Sequence, residues 1–364
     1  MPGSAKFFCV DPVDPSKFDI GIPHQKWQQA LAESFAVLSC ASPGEVVNIT
    51  GPSRAGKSAL IFQLRKLMFG EDAFENTGLM PAVVIEAVNE GKHATFSTKS
   101  FTQRLLMSVK HPLFYLSGDV LNDLAVIQKM ERCTEGTLRR TLEDGLKLRR
   151  TRYLFIDEAQ HVKYASKDAQ AAYAVMDSWK CLAQTSGVVL VLVGAYPVLS
   201  IMGNSPHLLG RNHQVHFPRY YLNRDDVIGF GQILQKYSEL IQLHSSLSSL
   251  TDVAELMYEG SLGCIGLLKA WIKRVDAFAS IMNVPIDERL LREQRLTDHN
   301  LRQIWAEIKE GERLLKRTFS SMPAKHSGGS GASAAQPKKT KNKPFQKKPV
   351  RSTAGNRTEP PSNG

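Results

Sequence analysis

One octapeptide constrains this chain more than any other feature: it reads Gly51-Pro52-Ser53-Arg54-Ala55-Gly56-Lys57-Ser58, which has the form G-x-x-x-x-G-K-S. An apolar run, 45–50, precedes it, and a run with helical spacing, 57–69, follows it. A loop that surrounds phosphate oxygens with backbone N–H groups at a helix N-terminus requires this order. In such a loop Lys57 reaches the β- and γ-phosphates, and the hydroxyl of Ser58 ligates Mg²⁺. The sequence therefore predicts a binding site for ATP and Mg²⁺.

A second apolar run, 153–158, ends in two adjacent acids, Asp157 and Glu158. Ligands of open parallel sheets bind at the carboxyl ends of the strands, so a strand here would carry both acids to the predicted nucleotide. We expect Asp157 to contribute to the nucleotide site by holding Mg²⁺ through water. We expect Glu158 to polarise the attacking water as a general base. Paired with the phosphate-binding loop, the two acids predict hydrolysis of ATP.

Strand-like and helix-like segments alternate over the first two thirds of the chain. The predicted strands are 45–50, 82–88, 153–158, 188–194 and 214–217, and the predicted helices are 24–38, 57–69, 98–109, 137–148 and 169–185. Alternation of this kind predicts a parallel sheet, and continuously apolar strands predict that helices cover both of its faces. The pattern of residues 111–135 is ambiguous, and an insertion is one interpretation of it.

Beyond about residue 222 the strand patterns stop, and the remaining segments have helical spacing, at 224–243, 252–259, 264–281 and 298–318. The expected organisation is therefore an irregular N-terminal segment, an α/β domain, a small all-helical domain and a tail, at 1–23, 24–222, 223–318 and 319–364. Residues 321–364 hold nine lysines or arginines against one acid and so carry +8 of the formal +11 charge. The tail offers little to bury, so we expect it to be disordered. An artificial linker is the alternative, because Gly328-Gly329-Ser330-Gly331 has a linker's composition.

Several classes of protein are not expected. No run of about 18 apolar residues occurs, so the sequence predicts no transmembrane helix. Residues 1–10 lack a charged-then-apolar signal pattern, so we expect a cytoplasmic protein. The five cysteines are scattered without a C-x-x-C pair, which argues against a zinc site or a disulfide framework.

The two acids and the residues after them resemble the signature of AAA+ ATPases. Within that class the chain resembles the TniB/TnsC family of transposition regulators. The segments that carry the closer resemblance are Phe155-Ile156-Asp157-Glu158-Ala159-Gln160-His161, Val191-Leu192-Val193-Gly194-Ala195-Tyr196, Leu209-Gly210-Arg211 and Phe217-Pro218-Arg219-Tyr220. The resemblance covers about residues 25–285. It implies an AAA+ domain with a helical lid, in a bacterial ATP-dependent oligomer, ring or filament, on double-stranded DNA. Such an oligomer links a target-selection protein to the transposase.

The resemblance also implies further site residues. Arg211 matches the arginine before the fifth strand, which reaches a neighbouring subunit's γ-phosphate as an arginine finger, and Arg219 is the second candidate. Lys92 and Lys99 are the implied DNA contacts, because the segment after the second strand faces the pore in many AAA+ assemblies. The alternative for these lysines is an ordinary solvated surface. The basic tail would contact DNA phosphates without reading their sequence.

Two positions depart from the AAA+ pattern. Ala195 stands where a threonine or asparagine often contacts the γ-phosphate or the attacking water, and Tyr196 is a possible substitute. Gly266 stands where many lids carry a second sensing arginine. Both departures remove contacts to the γ-phosphate, so we expect slow turnover. Two alternatives to a transposition regulator therefore stay open: an AAA+ helicase or initiator loader, and a nucleotide-gated scaffold that hardly hydrolyses ATP.

Overall fold

The fold is described by a computed structural model, over residues 15–18, 22, 24–70, 77–90, 95–165, 169–203 and 212–320. The described residues all belong to one compact unit. Three sequence predictions lie outside the described residues: the arginine finger Arg211, the DNA contact Lys92, and the disorder of the tail beyond residue 320. Most of the N-terminal segment predicted to be irregular also lies outside them.

The centre of the unit is a five-stranded sheet in which every pairing is parallel. Its strands are β1 (Val46–Thr50), β2 (Ala82–Glu86), β3 (Tyr153–Asp157), β4 (Val189–Gly194) and β5 (Asn212–His216), in the order β2-β3-β4-β1-β5. The predicted parallel sheet is therefore confirmed. Thr50 is paired with Gly194 and Glu86 with Asp157, so the carboxyl ends of neighbouring strands meet at one edge.

Helices cover both faces of this sheet, as predicted. They are α1 (Gln25–Cys40), α2 (Lys57–Phe69), α3 (Thr98–Ser108), α4 (Val120–Arg132), α5 (Glu135–Leu148), α6 (Ala169–Ser186) and α7 (Pro197–Gly203). Helix α4 occupies the segment whose pattern was ambiguous. Its only buried residue is Met130, while Val120, Leu121 and Leu124 are exposed, so its apolar residues do not mark a buried face.

Alternation along the strands divides the interior into two cores, because successive strand residues point to opposite faces of a sheet. One core packs against α3, α5 and α6 and contains, from the strands, Val83, Ile85, Leu154, Ile156, Leu190 and Leu192. The other packs against α1 and α2 and contains Val47, Ile49, Tyr153, Phe155, Val191 and Val215. Both sets are apolar, which explains why the strands read as continuous apolar runs.

The C-terminal part is helical, with α8 (Arg224–Ser238), α9 (Ala254–Ser261), α10 (Ile265–Met282), α11 (Glu288–Glu293) and α12 (Asp298–Ser320). Its own core centres on Trp271, which is buried among residues of α8, α9, α10 and α11. The prediction of a helix over 224–243 was wrong at its end. There Gln242 O accepts from Ile286 N at 2.9 Å and His244 N donates to Ile286 O at 2.8 Å, and this extended pairing replaces helical hydrogen bonds.

Two further expectations can be compared with the described residues. None of the helices in the described part of the chain is long and apolar enough to span a bilayer. The cysteines in that part, Cys40, Cys133, Cys181 and Cys264, are free thiols.

Candidate nucleotide-binding site

The loop between β1 and α2 depends on both glycines of its motif. A Cβ at Gly51 would lie 2.3 Å from the carbonyl oxygen of Phe217, so no larger residue fits against β5 there. Gly56 caps α2 with a φ of +99°, a conformation that L side chains rarely adopt. The loop thus folds back over the end of β1 and leads directly into the first turn of α2, where Lys57 and Ser58 are located.

The amine of Lys57 is buried under this loop. Its Nζ donates to Pro52 O at 2.8 Å and to Gly51 O at 3.2 Å. Burial lowers the pKa of Lys57, and the negative charges of Glu158, Asp157 and Glu307 partly offset that effect. A charged amine enclosed by carbonyl oxygens in this way is a site for an anion with several oxygens, which would satisfy the amine better than two neutral acceptors do.

The hydroxyl of Ser58 and the carboxylate of Asp157 meet at the edge of the sheet. Ser58 Oγ donates to Asp157 Oδ2 at 2.6 Å, although the two residues come from α2 and β3. A hydroxyl and a carboxylate are the oxygen ligands that Mg²⁺ accepts, with water and phosphate oxygens as the rest of its shell. Within the described part of the chain no three or more His, Cys, Asp or Glu residues converge as a metal site. This pair therefore fits a Mg²⁺ ion that is bound together with a phosphate ligand.

Glu158 follows β3 directly and is held at both its backbone and its side chain. Its φ of +53° lies in the left-handed region, and its N–H donates to Asp157 Oδ1 at 2.8 Å. The side-chain amide of Gln160 donates to the Glu158 carboxylate through Nε2. The same amide accepts a hydrogen bond from the N–H of Ala195 at 2.9 Å through Oε1. The amide of Gln160 therefore lies at the end of β4, beside Ala195, whose own side chain is not polar. The sequence predictions did not identify Gln160 as a site residue.

Tyr196, the suggested substitute for the missing sensor side chain, has a different partner. Its hydroxyl hydrogen-bonds with His216 Nε2 at 2.9 Å. Burial raises the pKa of Tyr196 and lowers that of His216 to about 4, so both groups are neutral at pH 7. The ring of Tyr196 packs on Gly311 of α12, where a Cβ would lie 2.0 Å from its Cγ. Tyr196 therefore joins β4, β5 and α12.

Two C-terminal helices touch the loop. A Cβ at Gly266, in the first turn of α10, would lie 1.6 Å from the carbonyl oxygen of Arg54. The missing arginine at this position thus has a structural reason, since only glycine allows α10 to lie against the loop backbone. From α12, Glu307 Oε1 accepts a hydrogen bond from Ser53 Oγ at 3.3 Å.

A cavity of about 240 Å³ lies beside the loop, between α1 and α10. It is lined by residues of four distant parts of the chain, among them His24, Ala59, Tyr237, Ile265 and Lys269. Burial lowers the pKa of His24 to about 4, so the imidazole is neutral at pH 7, and its Nδ1 accepts from Trp27 N at 3.3 Å. A largely apolar cavity with a few polar groups, next to a phosphate-binding loop, suits the base of a nucleotide. No sequence motif marks it.

The remaining predicted residues lie elsewhere. Lys99 is at the start of α3, and its Nζ donates to Glu131 O of α4 at 2.7 Å. Arg219 is buried, and it donates to Glu312 Oε1 at 2.9 Å and to the hydroxyl of Tyr258 at 3.0 Å. The second candidate for an arginine finger is therefore paired within its own chain, where it joins α9 to α12.

Comparisons with known proteins agree with this geometry. The AAA domain family model matches residues 42–202. The chain is similar to the ORC2 protein of Aeropyrum pernix in its ADP form, with 17% identity and a TM-score of 0.50 over 77% of this chain and 72% of that one. For the ADPNP–ADP complexes of the same protein the identity is 16% and the TM-score 0.49, over 79% and 73%. The Walker-type ATPase PABY2304 of Pyrococcus abyssi is 14% identical, with a TM-score of 0.48 over 84% and 80%.

The chain matches none of the curated proteins with which it was compared. At 17% identity the similarity to the ADP form of the ORC2 protein supports the fold alone. The family match covers the loop, the acids of β3 and the end of β4, which are the elements that the structure brings together. Residues 42–202, which match the AAA domain family model, therefore have a P-loop fold of the AAA type.

Proposed function

We propose that this protein binds ATP with Mg²⁺ and hydrolyses it. The observation that carries the proposal is the 2.6 Å contact between Ser58 Oγ and Asp157 Oδ2, beside the buried amine of Lys57. The loop N–H groups and Lys57 would bind the β- and γ-phosphates, and Ser58 and Asp157 would hold Mg²⁺. Mg²⁺ supplies neutralisation of the charge that develops on the phosphates. Glu158 would accept a proton from the attacking water.

The cavity beside the loop completes the nucleotide site in this proposal. Trp27 and Ile265 provide apolar walls, and the loop residue Gly56 joins the cavity to the phosphate side. One wall belongs to α1 and the other to α10, so a bound base would contact both the α/β part and the C-terminal helices. Binding would thus favour the close arrangement of α10 and the loop, because a ligand shifts an equilibrium toward the state that it contacts more.

A second candidate is a nucleotide-gated scaffold with little hydrolysis. Ala195 offers no polar side chain, and Gly266 offers backbone contact to the loop where an arginine would contact phosphate. Both changes keep the parts that bind nucleotide while removing contacts to the γ-phosphate. The turnover rate of the purified protein separates the two candidates.

The finer role that we propose is that of an oligomeric regulator of DNA transposition. It is supported by the segments that resemble the TniB/TnsC family, by the basic tail and by Arg211. In this role Arg211 acts on a neighbouring copy, Lys92, Lys99 and the tail approach double-stranded DNA, and a transposase and a target-selection protein are the partners. The work would take place in the bacterial cytoplasm. A helicase or initiator loader remains the alternative, since it shares the same nucleotide site.

Glu158→Gln tests the hydrolysis. The amide keeps the shape of the carboxylate but cannot accept a proton from water, so we expect kcat to fall by about 10²-fold or more. ATP affinity should stay within a small factor, and complexes on duplex DNA should persist longer, because bound ATP stabilises the form that binds it. Phosphate release and ATP titrations measure both. Glu255→Gln, an exposed acid on α9, is the control. Equal rates in wild type and Glu158→Gln would contradict the assigned role.

Arg211 is tested by mixing two inactive proteins. We expect Arg211→Ala to bind ATP normally but to lose hydrolysis stimulated by DNA, because a finger supplied by a neighbour contributes roughly 10³–10⁵ in rate where it has been measured. The Lys57→Ala protein keeps an intact Arg211, but its phosphate-binding loop is defective. Mixed assemblies pair a good arginine with a good loop at some interfaces, so part of the activity should return. Mixed assemblies that stay as inactive as either parent would exclude action between subunits.

A further inference from the structure

The side chain of Gln160 connects the general base to the end of β4. Its Nε2 donates to the Glu158 carboxylate, and its Oε1 accepts from the N–H of Ala195 at 2.9 Å. We propose that Gln160 is the positioning residue that holds Glu158 for hydrolysis, in place of the polar side chain that Ala195 lacks. The inference rests on the proposed ATP hydrolysis and concerns how that same site is organised.

The two ends of the bridge require opposite hydrogen-bonding roles. The N–H of Ala195 can only donate a hydrogen bond, and an ionised carboxylate can only accept one. A single side chain that joins them must therefore both accept and donate, and glutamine does so with two separate atoms. Because each partner has a fixed role, the orientation of the Gln160 amide is also fixed. An amide turned by 180° would place its oxygen against the Glu158 carboxylate and its NH₂ group against the N–H of Ala195, and neither contact is a hydrogen bond.

The surrounding backbone leaves space for this bridge. A Cβ at Gly194 would lie 2.4 Å from Gln160 Oε1 and 2.8 Å from Val198 Cγ2, so a side chain at the last residue of β4 would displace the Gln160 amide. Gln160 is 9% exposed and belongs to a short 3₁₀-helix, Ala159–Tyr164. That helix is held on its other side by the hydrogen bond between His161 Nδ1 and Ala87 O, at 2.6 Å.

The bridge restricts the conformation of the Glu158 side chain. The backbone of Glu158 is set by its left-handed φ and by its N–H, which donates to Asp157 Oδ1 at 2.8 Å. The remaining freedom lies in the side chain, and the bond from Gln160 restricts it. A general base must lie within hydrogen-bond reach of the proton that it accepts, so a carboxylate held in advance lowers the cost of reaching that geometry. Since Ala195 supplies only its backbone N–H, Gln160 carries the link from β4 to the base.

Two variants, Gln160→Met and Gln160→Glu, test the contribution of each hydrogen bond of the bridge. Methionine has a similar length but makes neither hydrogen bond. Glutamate can still accept from Ala195 N–H but, when ionised, cannot donate to Glu158. We expect both variants to lower kcat by roughly 10- to 100-fold, less than the roughly 10²–10⁴-fold contribution of a positioned proton acceptor, because Glu158 itself remains. The KM for ATP and the affinity for ADP should change by less than about 3-fold, because Gln160 does not contact the loop that binds phosphate.

Gln235→Met is the matched control. Gln235 Oε1 accepts from the hydroxyl of Ser249 at 2.8 Å in the C-terminal helices, away from Glu158. This variant should lose some thermal stability and keep the wild-type kcat. Melting temperatures of all variants are measured alongside the rates. If Gln160→Met does not fold, Gln160→Glu carries the test, because it preserves the bond to the buried N–H.

A double-mutant cycle decides whether Gln160 acts through Glu158. In the Glu158→Gln background, Gln160→Met should change the single-turnover rate by less than about 2-fold, since the group that it positions is already inactive. The same loss in both backgrounds would overturn the inference and assign Gln160 a general structural role. Full activity of Gln160→Met beside an impaired Glu158→Gln would overturn this inference alone. A wild type that does not hydrolyse ATP would overturn the proposed function together with it.

Discussion

Lys57→Met is expected to abolish nucleotide binding without lowering the melting temperature. The amine is the buried positive charge at the loop, and it would make charge-assisted hydrogen bonds to the β- and γ-phosphates. Each such bond is worth about 1.5–3 kcal/mol. Two of them together correspond to roughly a 100-fold loss of affinity or more. Calorimetric titration with ATP and Mg²⁺ measures it.

The stability part of this prediction follows from the environment of the amine. Burial lowers the pKa of Lys57 despite the neighbouring carboxylates, so the charged form is less favourable in the folded chain than in the unfolded chain. For a base, a lowered pKa means that the charge costs folding free energy at neutral pH, and the cost disappears only above the unfolded-state pKa. Methionine removes this cost and fills a similar volume.

Lys66→Met, at an exposed position further along α2, is the control and should bind nucleotide like the wild type. Thermal unfolding without nucleotide provides the second measurement. A melting temperature several degrees lower for Lys57→Met would show that the amine stabilises the empty loop, contrary to the direction of its pKa. Unchanged ATP affinity would mean that the loop does not bind phosphate.

Gly266→Arg is expected to impair the protein, although it restores the residue that many AAA+ lids carry at this position. The first side-chain atom would already lie 1.6 Å from Arg54 O, so α10 or the loop has to move before the guanidinium can reach a phosphate. Gly266→Ala tests this first atom alone. Overpacking of this kind costs about 1–3 kcal/mol or more. In a chain of this size that cost lowers the melting temperature by several degrees.

Nucleotide affinity should fall as well, because Arg54 belongs to the loop. Gly231→Ala is the control: Gly231 lies in α8, and nothing approaches the place of its Cβ within 4 Å. Removing a helical glycine there should stabilise the fold by about 0.5–1 kcal/mol. Faster hydrolysis by Gly266→Arg at an unchanged melting temperature would show that α10 readily moves away from the loop. The close contact between Gly266 and Arg54 would then be unnecessary for stability and for activity.

The parts of the site that could be predicted share one property: each is encoded by neighbouring residues. Lys57 and Ser58 follow the second glycine of their motif directly, and Asp157 and Glu158 end a single strand. The two-sided apolar character of β1, β3 and β4 is likewise local. These patterns predicted the parallel sheet and the edge at which its strands end, because the geometry of a strand, a turn and a helix N-terminus is fixed within about ten residues.

Other elements gave no such pattern. Helix α4 exposes Val120, Leu121 and Leu124, so the apolar residues that its spacing shows are not the ones that it buries. The end of α8 was decided by pairing with Ile286, in a segment far along the chain. At the end of α8 the helical pattern continues to residue 243, and a contact made only after folding overrides it.

The sequence by itself therefore determined the nucleotide-binding chemistry and the class of fold. The tertiary structure decided what surrounds that chemistry: Gln160 on Ala195, Gly266 on Arg54, and the cavity between α1 and α10. Two positions that look like losses in the sequence are close contacts in space. The structural role of each position depends on which group packs against it. The packing of whole helices against the sheet determines that group, and the neighbouring residues in the chain do not.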